Sequence, residues 1–286
     1  MANRAARACV VCDRTDRVTD LTLDEWTIER CPSCGLRVLT PEPAGEQLVE
    51  VFEDGSIYAG ALDLEAELLS RAGATLALLE RSVAPGRLLD VGCGPGFLLR
   101  AGAARGWTPT GIDPSPFSVE RARAAGFEAH QGMVEDLGLP AASYDAVALM
   151  QVIEHVTDPR ALLAECRRLL RPGGALVVAT PNPASLLAKV KRERFNYWIP
   201  PVHCVWYTPR ALRRSLARAG FSRVRTTTWS ARTAALHDGL DIVSSVRVGR
   251  ALPYRLRRAA GTALGVVADA ARYGSIVESI AIKGDA

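Results

Sequence analysis

"RLLDVGCGPGF", residues 87 to 97, is the stretch on which the fold turns. Leu88, Leu89 and Val91 surround Asp90 and run into Gly92, Gly94 and Gly96, and the leucine-rich "FLLRAGAARG" follows at helical spacing. A buried strand, a glycine turn and a helix in that order let backbone approach a ligand where no Cβ intervenes. A glycine turn alone is a weak signal, and a dinucleotide site would show G-x-G-x-x-G with an acid about 20 residues on. Here the glycines are more tightly spaced, and the acid, Asp113 in "GIDPS", stands 17 residues after Gly96. At the end of a second strand its carboxylate can accept both hydroxyls of a ribose, so an adenosine is implied.

Outward from this stretch the hydrophobic period alternates. "TPTGID", "FEAHQG", "YDAVALMQV" and "ALVVATPN" read as strands, and "SVERARAAG" and "PRALLAECRRLLRPGG" as helices, the latter ending in a turn. "YTPRALRRSLARAGF" follows as a helix with Pro209 in its first turn, then "FSRVRTTTWS" and "SIVESIAIKG" as the last strands. The expected fold class is therefore α/β: a doubly wound, mostly parallel sheet of seven strands, with helices on both faces. Residues 1–40 form a small cysteine-punctuated unit and 41–83 lead-in helices. Residues 84–286 form the cofactor-binding domain, interrupted at about 232–273 by a basic helical insertion. A helix covering the sheet edge, a lid, a homodimer surface and a membrane-surface helix are the alternatives for that insertion.

Composition narrows the class. No run of about 18 apolar residues offers a transmembrane segment, and the N-terminus lacks the apolar stretch of a secretory signal. A cytoplasmic, reducing location is expected, which disfavours disulfides. The net charge of +4 is uneven: residues 189–258 hold 16 Lys+Arg against 3 Asp+Glu. An anionic acceptor, or a phosphate track, would meet that segment.

"LLDVGCGPG", "GID", "YDAVALMQVIEHVTDP" and "RLLRPGGALVVATPN", in that order across residues 87–182, resemble the motifs of class I S-adenosylmethionine-dependent methyltransferases, which have a Rossmann-like fold. The resemblance implies S-adenosyl-L-methionine as cofactor. Asp90 and the turn Gly92, Cys93, Gly94 and Gly96 would hold its methionine end, and Asp113 its ribose. Met133 stands where many relatives carry an aspartate for the adenine amino group, so Met133 and Val134 would offer apolar contact and backbone. Gln151 and His155 would lie beside the methyl group. Some relatives read E-x-x-E-H there and bind a divalent cation. This chain reads Q-V-I-E-H, and a neutral amide is a poor ligand for a hard cation, so a structural or substrate-orienting role is expected. His203, in "PPVHCVWYTPRAL", would border the acceptor pocket, either as a base or as an anchor for the loop. Tyr197, Trp198, Trp206 and Tyr207 would form an aromatic acceptor surface or pack internally.

Cys9, Cys12, Cys31 and Cys34 follow C-x₂-C-x₁₈-C-x₂-C, the spacing of a four-thiolate zinc ribbon. All four ligands come from protein, so Zn²⁺ would be structural. Residues 1–40 carry six Arg and six Asp+Glu, which argues against a nucleic-acid partner. "RCPSCGLRVLTPEPAGEQLVEVFEDGSIYAG" resembles the junction in a bacterial group associated with methylating sugars and specialised metabolites. The expectation is methyl transfer to a hydroxyl or amine of a small molecule: a sugar, a nucleotide-linked sugar or a natural product. RNA methylation and C-methylation are the alternatives, the latter disfavoured because relatives that methylate sugar carbon carry a further C-terminal domain.

Overall fold

In a computed structural model of the chain, the structure describes residues 8–44, 48, 64–230, 267–268, 271 and 273–284. The main sheet has seven strands: β4 (Arg87–Val91), β5 (Thr108–Asp113), β6 (Glu128–Gln131), β7 (Tyr144–Met150), β8 (Leu170–Pro181), β10 (Phe221–Trp229) and β11 (Ile276–Lys283). Their order is β10-β11-β8-β7-β4-β5-β6. The pairs from β8 through β6 are parallel, and β11 runs antiparallel to both β8 and β10. Central β7 and β8 are buried on both faces, which is why "VALM" and "ALVVAT" are continuous apolar runs.

Helices α1 (Glu65–Leu79), α2 (Phe97–Ala103), α3 (Pro116–Ala124), α4 (Pro159–Leu169), α5 (Leu186–Lys191) and α6 (Pro209–Arg218) complete the described elements, with short 3₁₀ turns at Ile153–His155 and Arg192–Arg194. Three of them start alike. Ser115, Asp158 and Thr208 each accept a hydrogen bond from an amide of the first turn, and each is followed by a proline at the first helical position. The side-chain acceptor satisfies an orphan N–H, and proline occupies the one position where its missing donor costs nothing. The "RPGG" expected as a turn lies within the bounds of β8. It bulges out of the ladder, because Leu170 pairs with Tyr144 and the next pairing joins Ala175 to Ala146.

The cysteine-punctuated segment forms a second sheet of four strands, β1 (Val18–Leu23), β2 (Trp26–Arg30), β3 (Arg37–Thr40) and β9 (Val205–Trp206), in that order. The last strand comes from the stretch read as a loop: Val205 and Trp206 pair antiparallel with Val38 and Arg37. The small sheet's cysteine end has no core of its own. Cys9, Val11, Cys31, Cys34 and Leu36 pack in one buried cluster with Leu162, Leu163, Tyr207 and Leu212. Of the lead-in helices, α1 and Leu48 are described. The rest of that segment and nearly all of the 232–273 insertion lie outside the described residues.

Candidate active site and cysteine cluster

A cavity of about 640 Å³ opens at the carboxyl ends of β4, β5 and β7, within the range of small-molecule sites. Gly92, Asp113, Met133, Val134, Gln151 and His155 lie on its wall. The glycine turn is pinned to β5: the amides of Gly92 and Cys93 both donate to the carbonyl of Ile112, at 2.7 and 2.9 Å. Gly92 has φ +74°, and a Cβ there would lie 2.5 Å from Cγ2 of Val152. Only glycine fits without strain. The Asp113 carboxylate is fixed by two backbone amides, Gly94 N to Oδ2 at 2.8 Å and Ser115 N to Oδ1 at 2.9 Å.

Asp90 is buried, and its Oδ1 has no hydrogen-bond partner. Burial and the nearby Asp113 charge push its carboxyl well above the usual range. The orphaned Asp90 oxygen suits a ligand that brings it a hydrogen-bond donor, as an α-ammonium does. Cys93, Gly94 and Gly96 sit behind this wall. The Cys93 thiol is pushed up by burial, and a Cβ at Gly111 would meet its Sγ at 2.7 Å, so this side chain is packing.

Gln151 holds φ +59° just after β7, a conformation uncommon outside glycine, while its amide donates to Ala179 O at 2.8 Å. Beyond it, Glu154, His155 and His203 converge, with one ligand atom of each within 4.8 Å of the others. Among the described residues this trio and the four cysteines are the groups able to hold a metal ion. Glu154 is fully buried: Oε2 accepts from Thr180 Oγ1 at 2.8 Å, Oε1 has no partner, and burial raises its carboxyl to about 8. His155 Nδ1 bonds Val202 O and His203 Nδ1 bonds Tyr197 O, both at 2.9 Å. A carbonyl only accepts, so each Nδ1 carries the proton. Burial lowers the two imidazoles to about 4 and about 3.

On the acceptor side the structure favours the loop-anchor alternative for His203 and internal packing for the aromatic rings, and places neither on the cavity wall. His203 is buried one layer behind His155, at 4.7 Å between ring centroids, and is not on the cavity wall. The aromatic stretch is not on it either. Trp206 and Tyr207 are fully buried, and Phe195, Tyr197, Trp198 and Trp206 stack edge to face at 5.1–5.3 Å. Rings this large pack where they can shed water on all sides. In the described part of the basic segment, Arg210, Arg213 and Arg214 are exposed on α6 and do not line the cavity. The described cavity wall carries Asp113, Glu135, Asp136 and Asp158 and neither Lys nor Arg, so it offers no counterion to an anionic acceptor. Asp158 and Ala161, at the start of α4, were not singled out from sequence. Their signal was the Asp-Pro helix start itself.

The four cysteines have converged. Sγ of Cys9 lies 3.5 Å from that of Cys34, and Cys12 from Cys31 likewise. This is far beyond a disulfide bond of about 2.05 Å and near the roughly 3.8 Å edge of a tetrahedron with 2.3 Å zinc–sulfur bonds. The two knuckles repeat one geometry. The residue after each second cysteine, Asp13 or Gly35, has positive φ and donates its amide to the carbonyl of the first cysteine at 2.9 Å. The donor set fits zinc and leaves no open position.

A mostly parallel seven-stranded sheet with its cavity at the glycine turn defines a nucleoside-cofactor fold. The family model for a methyltransferase domain matches residues 64–226, and the chain belongs to that family. It carries an S-adenosylmethionine-dependent methyltransferase domain. A ubiquinone biosynthesis O-methyltransferase from Caulobacter vibrioides is 39% identical over 132 residues, covering 40% of this chain and 51% of that protein. One from Rhodopseudomonas palustris is 37% identical over 120 residues, covering 38% and 47%. The chain thus spans about half the length of these relatives. Among solved structures, a methyltransferase from Archaeoglobus fulgidus superposes with a TM-score of 0.56 at 20% identity, covering 79% of this chain and all of that one. One from Mesorhizobium loti gives 0.52 at 21%, covering 73% and 95%. These likenesses establish the Rossmann-like fold. Among the described residues, no helix is long and apolar enough to cross a membrane.

Proposed function

We propose that the chain methylates a hydroxyl of a small, non-anionic molecule bound between the glycine turn and His155. The observation that carries this reading is the lining of one cavity, which brings Gly92 and Asp113 together with Gln151 and His155. The bound cofactor supplies an activated methyl group, so the protein's task is to align the acceptor and remove its proton. Asp90, Asp113 and the Gly92–Gly96 backbone hold the cofactor, with Met133 and Val134 beside the adenine. His155, neutral because it is buried and protonated on Nδ1 by its bond to Val202 O, presents Nε2 as the basic nitrogen. His203 and Glu154 support that ring from behind. Relatives named for O-methylation in ubiquinone biosynthesis favour a hydroxyl over an amine, and they lend nothing to the sugar class of acceptor. The four cysteines hold one structural zinc, with residues 8–40 and β9 folded around it.

The test is methyl transfer from labelled cofactor to phenolic, alcoholic, sugar and RNA acceptors, with His155→Ala beside the parent protein. Loss of a general base costs about 10²- to 10⁴-fold in turnover, while cofactor affinity by calorimetry stays within about twofold. A variant that turns over normally, or transfer confined to RNA, would defeat the reading.

A further inference from the structure

Two connections run from the cysteine unit to residues that line the cavity. The first passes through Arg160, the second residue of α4. Its Nε donates to Val10 O at 2.5 Å, and its Nη2 donates to Cys9 O at 3.1 Å and to Asp13 Oδ1 at 2.6 Å. Three acceptors of the first knuckle therefore gather on one guanidinium, a planar fork that lysine does not reproduce. Asp13 holds Arg218 of α6 as well. Asp158 and Ala161, either side of Arg160 at the same helix start, line the cavity.

The second connection passes through β9. Leu39 N donates to Cys204 O at 2.8 Å, and Cys204 N donates to Glu154 O at 2.8 Å. The small sheet is thereby bonded to the Ile153–His155 turn, and His155 is on the cavity wall. One connection therefore ends beside Asp158 and Ala161 and the other at His155, all three of which line the cavity.

We propose that the four-cysteine unit is a positioning device for the acceptor wall, with Arg160 the residue that couples the two. The Arg160–Asp13 pair is about half exposed, so as a salt bridge it adds little stability. Its effect is to fix where the helix start and the His155 turn stand. The proposal rests on the reading of His155 as the acceptor side, and its test is chosen to run without turnover.

Hydrogen exchange by mass spectrometry on Arg160→Ala, Asp13→Ala and Asp13→Asn reads the coupling directly. Asparagine keeps an acceptor for Arg160 and tolerates the positive φ at position 13. In both alanine variants, amides in 153–162 and 204–206 should exchange about tenfold faster or more. Asp13→Asn should restore protection, and zinc content and cofactor affinity should stay within about twofold of the parent. Unchanged exchange in those segments, or cofactor affinity falling in step with it, would overturn the proposal. Failure of the parent protein to methylate any acceptor would bear on the function reading alone.

Discussion

Replacing Glu154 by glutamine removes one buried, titrating proton, and the pH dependence of stability should register it. The Glu154 carboxyl is fully buried with one oxygen unpartnered, and desolvation holds its proton to about pH 8. In the unfolded chain the same group ionises near pH 4.5. Between those values the folded state binds one more proton, so this group lowers stability as pH rises, by about 1.4 kcal/mol per pH unit. His155 and His203 act in the opposite direction. Their folded values of about 4 and about 3 lie below the ordinary 6.5, so the unfolded chain takes up protons first and stability falls as pH drops below about 6.5. The three groups together place maximum stability near pH 6.5. From there to pH 8 the ionisation of Glu154 on unfolding costs on the order of 2 kcal/mol. Glu154→Gln is less stable at its optimum, because an amide donor is left buried without an assured acceptor. Its curve should nevertheless be flatter on the alkaline side by that amount. Urea unfolding of both proteins at constant ionic strength from pH 5.5 to 8.5 measures the difference. Parallel curves would show that Glu154 is already ionised in the fold, and the argument from burial would be refuted.

Two further outcomes follow from the sites. Metal analysis should find about one zinc per chain, and Cys31→Ser should release it and lower the melting temperature, since the small unit shares its core with α4 and Tyr207. Metal-free folded protein would remove the zinc assignment, whereas a second divalent equivalent lost in His203→Ala would show that the Glu154 trio also binds an ion. Asp113→Ala strips the acceptor from two buried amides at charge-assisted bonds of about 1.5–3 kcal/mol each. Calorimetry should show cofactor affinity reduced by at least about a hundredfold, and unchanged affinity would displace Asp113 from the ribose.

The glycine turn and the position of Asp113 were legible because their geometry is local. A glycine turn after a buried strand, and an acid at the end of the next strand, are set by neighbours within a few residues. The acceptor end was not. His203 read as a candidate base because a histidine in an aromatic loop has no local signal of depth. Its burial depends on Trp206 docking against a sheet more than 160 residues earlier in the chain. Glu154 looked like an ordinary acid beside His155 until Thr180 and the absence of a second partner marked it as buried and protonated.

The sequence by itself determined the order of strands and helices, the glycine turn, the acid at Asp113 and the paired cysteines. Periodicity, proline caps and ligand spacing are properties of short segments and survive without tertiary context. Tertiary structure alone decided which residues share a wall. It drew β9 into the small sheet, set Arg160 across the first knuckle, put His155 before His203 and left the arginines of α6 exposed. Those choices depend on which distant surfaces exclude water together, and no short stretch of sequence carries that information.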